Sequence, residues 1–213
     1  SKTQKKLVLN LFEESDVSID IQQVSNDSYL KSYKPNSPLI NNDNTLTSSI
    51  IFNGFNNDLS FNTELTVYEN LSKANNDRYE YILPSYNLSK IFNNFKNLNG
   101  KIEINSSGSI KSYDTNILEK VNINDFIYNS DPKITSIGIE NSFNLIIKNV
   151  NTESDNSTAY KNYFDSNLNS LFEFNSSYPL VKKEDKFDKM ITPKISLRYN
   201  PNKTKNKTGT IRQ

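Results

Sequence analysis

Charged side chains are the part of this 213-residue sequence most able to do chemistry, and they come in two arrangements. Glu13-Glu14 and Glu184-Asp185 are adjacent acids, the pairing that acid–base catalysis or a bound cation would use. Both lie in stretches that read as turns, where a solvated charge is the ordinary explanation. The second arrangement is dispersed: Asp20, Glu64, Lys101, Glu103, Lys120, Glu140, Lys148, Glu173, Lys194 and Arg198 recur along stretches that alternate polar with apolar residues. Mixed charges spread over many strands suit the wall of a water-filled lumen, and equally the solvated face of an ordinary antiparallel sheet.

What is missing narrows the chemistry. The chain has no His and no Cys, so an imidazole base, a thiolate nucleophile, a disulfide and a zinc–thiolate site are all excluded within it. With 5 Gly it carries no phosphate-cradling loop, and no serine-nucleophile motif or metal cluster is present. No catalytic, cofactor-binding or metal-binding residue is assigned, and the expectation is a protein that is not an enzyme and uses no cofactor. A formal charge of +1 and a pI near 7.7 give no basic stripe for nucleic acid.

The elements that would position those charges have a period of two. In 58–69, Leu59, Phe61, Leu65 and Val67 alternate with Ser60, Asn62, Glu64 and Thr66. In 101–110, Ile102, Ile104 and Ile110 alternate with Lys101, Glu103, Asn105 and Ser107, and in 191–200 Ile191, Ile195, Leu197 and Tyr199 alternate with Thr192, Lys194, Ser196 and Arg198. Successive side chains of a strand point to opposite faces, so these are strands with one apolar and one wet side. Weaker alternation marks 17–22, 137–147 and 168–178, and a mixed pattern marks 46–55, 79–89 and 117–128. With a further strand over 7–12, the expectation is about ten strands, most of about ten residues. No helix, linker or internal boundary is expected.

Length and connections favour a membrane barrel. Strands of globular proteins average about 5–6 residues, while tilted strands that cross a bilayer need about 9–11. The stretches 13–16, 54–58 and 129–133 read as short turns, and 26–44, 70–78 and 151–165 as long polar loops. Hydrophobic residues make up only 34% of the chain, yet 12 Tyr and 12 Phe argue against disorder. Tyr68, Tyr79, Tyr81, Tyr113, Tyr128, Tyr178 and Tyr199 fall near strand ends, as in the aromatic girdles of outer-membrane barrels. The abundant Asn, with tripeptides such as Asn87-Leu88-Ser89 and Asn206-Lys207-Thr208, reads as coding bias rather than glycosylation. The opening Ser1-Lys2-Thr3, without an initiator or signal segment, reads as a cut from a longer protein.

Three stretches carry a family resemblance. The run from Asp16 to Leu30, the run from Arg78 to Tyr86, and the run from Met190 to Pro201 resemble, in order and spacing, barrel segments of the LPS-assembly protein (LptD) family. The resemblance implies one partial outer-membrane barrel domain over 1–213, an antiparallel up-and-down meander from the interior of a larger barrel. It also implies a role in placing lipopolysaccharide in the outer leaflet, with the sugar portion passing through a polar lumen. The partners implied are lipopolysaccharide, outer-membrane lipid, an LptE-like plug lipoprotein and the periplasmic transport-bridge proteins. Another outer-membrane barrel, such as a porin or solute receptor, and a soluble β-sandwich that binds a partner are the alternatives.

Overall fold

The structure, a computed structural model, describes residues 2–33, 44–73, 77–93, 98–183 and 188–202. Its strands are β1 (Lys2–Leu7), β2 (Glu14–Asp20), β3 (Thr45–Asn56), β4 (Leu59–Asn70), β5 (Tyr79–Asn93), β6 (Gly100–Tyr113), β7 (Ile117–Ser130), β8 (Lys133–Ile134), β9 (Glu140–Asp155), β10 (Asp165–Ser177), β11 (Leu180–Lys183), β12 (Asp188–Ile191) and β13 (Lys194–Tyr199). One 11-stranded sheet follows the order β1-β2-β3-β4-β5-β6-β7-β9-β10-β13, with β8 beside β9, and β11 and β12 form a separate hairpin. Every pairing is antiparallel, β1 and β13 are not joined, and the sheet is an open meander.

The central strands are longer than the alternation alone suggests: β3 and β4 have 12 residues, β5 has 15 and β9 has 16. Hydrogen bonds to two neighbours carry a strand past the point where its apolar pattern stops. The sheet has an apolar and a polar face, and register ties them together. Val17, Phe52, Thr63 and Tyr86 lie in one cross-strand row of the apolar face, while Asp16, Asn53, Asn62 and Asn87 form the adjacent row of the polar face. On β5 the residues Leu83 and Pro84 together oppose Leu65 on one side and Ile110 on the other. Pro84 lacks an N–H for the ladder, and a bulge is where a sheet tolerates that loss.

Several expected boundaries move. The first strand is Lys2–Leu7 rather than 7–12, and residues 8–13 connect it to β2. Its sequence has no alternation; it is held by pairing to β2, with Lys2 opposite Asp20 and Lys6 opposite Asp16. Ile191 belongs to β12, and β13 starts only at Lys194, because Pro193 interrupts the 191–200 run. Ile137 and Ile139 precede β9. A short helix, α1 (Tyr29–Tyr33), interrupts the loop read as helix-free. Asn26 Oδ1 accepts from the Ser28 amide and hydroxyl at its start, and Leu30 is buried against Leu46 and Leu71.

One end of the sheet carries the connections 8–13, 57–58, 94–99, 131–139 and 178–193, and the opposite, loop end carries 21–44, 71–78, 114–116 and 156–164. Short and long alternate through the first five connections and stop doing so at the sixth, 114–116. Asp114 and Thr115 take positive φ there, 44° and 64°, which closes β6 to β7 in three residues. Glu184-Asp185 and Asn206-Lys207-Thr208 lie outside the described residues.

Candidate functional site

The polar face gathers most of the charged side chains that the alternation singles out. Register places Asp20, Glu64, Lys101, Glu103, Glu140, Lys148, Glu173, Lys194 and Arg198 on it, as the alternation predicts. Lys120 is the exception. It pairs in register with Ile110 on the apolar face and binds Glu153 at 3.2 Å. Its strand, β7, has apolar side chains on both faces, so alternation within the strand does not reveal which way Lys120 points.

Charges on the polar face are distributed as local pairs. Lys148 Nζ meets Asp125 Oδ2 at 3.1 Å, Lys101 Nζ meets Glu103 at 3.4 Å, and Arg198 donates to Glu173. Between them stand hydroxyls and amides: Ser85 faces Ser109, Asn87 faces Ser107, and Ser89 faces Asn105 across β5 and β6. Such a surface can hydrogen-bond a polar solute along its length. Among the described residues, no group of three or more His, Cys, Asp or Glu could hold a metal ion.

The apolar face carries exposed Ile19, Ile50, Leu65, Ile104 and Phe172. Aromatic rings band its hairpin end: Phe12 packs edge-on against Phe52 at 5.8 Å, and Phe143 lies 5.2 Å from Phe174. At the loop end Tyr79 stacks on Tyr81 at 6.0 Å. Tyr68 and Tyr113 do sit near strand ends, but on the polar face, so they take no part in either band.

Sequence reading misses a feature in the middle of this face. Tyr86, Ser106, Asn122, Asn124, Asn149, Asn151 and Ser166 occupy apolar-face positions and bond to one another. Asn122 donates to the Tyr86 hydroxyl at 2.6 Å, Ser106 donates to Asn124 Oδ1 at 2.8 Å, Asn151 donates to Asn122 Oδ1 at 3.0 Å, and Ser166 donates to Asn151 Oδ1 at 2.7 Å. The available signal was the alternation of Asn122 and Asn124 with Val121 and Ile123, which inverts the expected facing. Beside this network a hollow of about 260 Å³ opens between Pro84, Ile110, Phe164 and the Lys120–Glu153 pair.

A second grouping lies at the loop end. Arg78 donates from both terminal nitrogens to Asp27, at 2.5 and 2.9 Å, and from Nε to Glu69 at 2.7 Å. Tyr79 donates its hydroxyl to the same Glu69 oxygen. The hydrogen bonds to Asp27 and then Glu69 hold the guanidinium far above its ordinary pKa, and the Arg78 hydrogen bonds hold the Asp27 carboxyl below its own. Lys73 binds Asp114 at 2.8 Å, and that hydrogen bond raises the ammonium pKa. The Asp27–Arg78 pair and Leu30 fasten the 21–33 segment to the β4–β5 connection, and Lys73–Asp114 ties that connection to the β6–β7 turn.

No family model and no curated protein matches this chain. The architecture and the placement of side chains therefore carry the functional reading.

Proposed function

We propose that this chain is part of the wall of an outer-membrane β-barrel of the lipopolysaccharide-assembly type, and that it is not an enzyme. The observation that carries the reading is the open antiparallel meander whose seven strands β3–β7, β9 and β10 are 12–16 residues long, with an apolar and a charged or amide-rich face that are clearest in β4 and β6. In hydrocarbon every backbone N–H and C=O needs a partner, and a closed meander supplies it. The apolar face then meets lipid and the polar face a hydrated lumen. The hydroxyl and amide rows of β5 and β6 match the hydrogen-bonding needs of a sugar chain, while the acyl chains stay on the apolar side.

Ten strands would enclose too narrow a lumen for a glycolipid, so further strands complete the barrel. The resemblance adds the particular role: Asp27 and Arg78, joined here as an ion pair, come from two of the three stretches that resemble the LPS-assembly family. It also supplies the partners, lipopolysaccharide, a plug lipoprotein and the periplasmic bridge, in the outer membrane. One observation favours a second reading. The Asn–Ser–Tyr network on the apolar face suits a sheet packed there against protein.

The chain contains no Trp, so Leu65→Trp and Asn62→Trp each create a single reporter, one on each face. In the lipid-reconstituted protein, phospholipids with brominated acyl chains are expected to quench the first and spare the second. If neither is quenched, the membrane reading fails and the packed-sheet reading stands.

A further inference from the structure

Register lines up a row of side chains across the apolar face that no single strand reveals. Ile19, Ile50 and Leu65 oppose one another on β2, β3 and β4, then Leu83 and Pro84 follow on β5 and Ile110 on β6. The next two positions are charged: Ile110 stands opposite Lys120 on β7, and Lys120 opposite Glu153 on β9. Ile19, Ile50, Leu65, Leu83 and Ile110 are each 38–46% exposed. Strands lie about 4.8 Å apart, so Ile19 to Ile110 is a track of about 19 Å, long enough for an acyl chain of one leaflet, about half of a ~30 Å hydrocarbon core. At its charged end lies the hollow of about 260 Å³ walled by Pro84, Ile110 and Phe164. Lys120 gives Glu153 one of its three N–H donors, and the two side chains are 44% and 48% exposed, so both can also meet a ligand.

We propose that this row seats one phosphoethanolamine lipid: an acyl chain lies across the strands from Ile110 towards Ile19, the phosphate accepts from Lys120, and the ammonium donates to Glu153. The order of the charges selects the headgroup. Going outward from the apolar track, the cation comes first and the anion one strand later. In phosphoethanolamine the phosphate comes first and the ammonium follows two carbons on, about one strand spacing away. A choline headgroup has no N–H to give Glu153, and a phosphoglycerol headgroup brings it no cation. A mostly apolar hollow with a few placed polar groups is the ordinary form of a ligand site. The proposal rests on the reading that this face meets lipid, and adds to it one fixed position and one headgroup.

The test places a reporter at the far end of the track. The chain has no Trp, so Ile19→Trp reports there alone, and Phe172→Trp reports on the same face away from the row. The whole protein is reconstituted in vesicles that carry a rising fraction of lipid brominated in its acyl chains. Brominated phosphoethanolamine lipid is expected to half-quench the Ile19→Trp reporter at about one third of the mole fraction needed with phosphocholine lipid of the same chains, the size of effect that one exposed ion pair gives. The Phe172→Trp reporter should respond to both lipids alike. Exchanging the charges, Lys120→Glu with Glu153→Lys, keeps an ion pair but reverses its order, and is expected to abolish the preference; Glu153→Gln alone should do the same. Equal quenching of the Ile19→Trp reporter by both lipids, or a preference that survives the exchange, would overturn the proposal while the membrane reading stands. Absence of quenching at Phe172→Trp by either lipid would remove both.

Discussion

Gly108→Ala is a small change at a place with no room for it. Gly108 lies opposite Tyr86 across β5 and β6, and its φ is one that any residue can adopt. A methyl group there would stand 2.7 Å from the Val121 carbonyl oxygen and 2.8 Å from Tyr86 Cε1. The carbonyl belongs to the β6–β7 ladder and moves little, so the ring must swing away. That ring holds its hydroxyl 3.0 Å from Ser106 Oγ and 2.6 Å from Asn122 Nδ2. Overpacking costs about 1–3 kcal/mol and the two hydrogen bonds about 0.5–1.5 kcal/mol each, against a gain of about 0.5–1 kcal/mol from a stiffer unfolded chain. The net expectation is a loss of about 1–5 kcal/mol, read as a lower denaturant midpoint in detergent. Tyr86→Phe removes the hydroxyl in advance, so the double variant should lose less than the sum, by about 1–3 kcal/mol. A Gly108→Ala protein of unchanged stability, or strictly additive losses, would refute the reasoning.

Three other perturbations probe separate regions. Leu65→Arg, on the apolar face, should cost about 2–4 kcal/mol near a bilayer midplane, whereas Glu64→Arg and Leu65→Phe should assemble normally, as scored by heat-resistant migration of the folded protein; damage from Leu65→Phe equal to that from Leu65→Arg would show that the face packs against protein. Asn122→Ala strips a partner from Tyr86, Asn124 and Asn151 at once, and is expected to cost about 1–3 kcal/mol in the same unfolding assay, with Asn87→Ala on the polar face near neutral. The Asp27–Arg78 clasp should loosen in acid: Asp27 has its carboxyl pKa depressed below the ordinary 3.8, so its contribution is present above that value and lost as pH falls through the depressed one. Limited proteolysis of the 21–33 segment with an acid-active protease should speed up over that window in the wild type and be already fast in Arg78→Ala.

Where one face of a strand was wholly polar, the sequence was enough. β4 and β6 read correctly because Ser60, Asn62 and Glu64, or Lys101, Glu103 and Asn105, leave no doubt about which side is wet. β9 reads correctly over 140–148, where Phe143, Leu145 and Ile147 face the apolar side and Glu140 and Lys148 the polar one. β7 was legible as a strand but not in its facing, since Val121 and Ile123 take the polar face while Asn122 and Asn124, with Asn149 and Asn151 of β9, take the apolar one. Periodicity reports contrast within a strand; it is silent when both faces are mixed, and only the neighbours' register decides. That is why Lys120 was misplaced and the amide network missed. β1 was displaced because Lys2-Thr3-Gln4-Lys5-Lys6 has no hydrophobic rhythm and owes its conformation to β2. The Asp27–Arg78 clasp joins residues 51 positions apart, a contact made by the way the loops fold back.

Beyond β13 the chain does one more thing to the sheet. Asn202 turns its side-chain amide onto the uncovered part of β10, accepting from the Ser170 amide at 2.7 Å and donating to the Leu168 carbonyl at 2.6 Å. A carboxamide offers the same donor and acceptor as a peptide group, but on a side chain that ends there. It therefore works as a buffer stop on a track: it occupies the next rung of the ladder without becoming a rail along which further chains could add. The Ser170 and Leu168 groups of β10 are thereby satisfied without a further strand beside them.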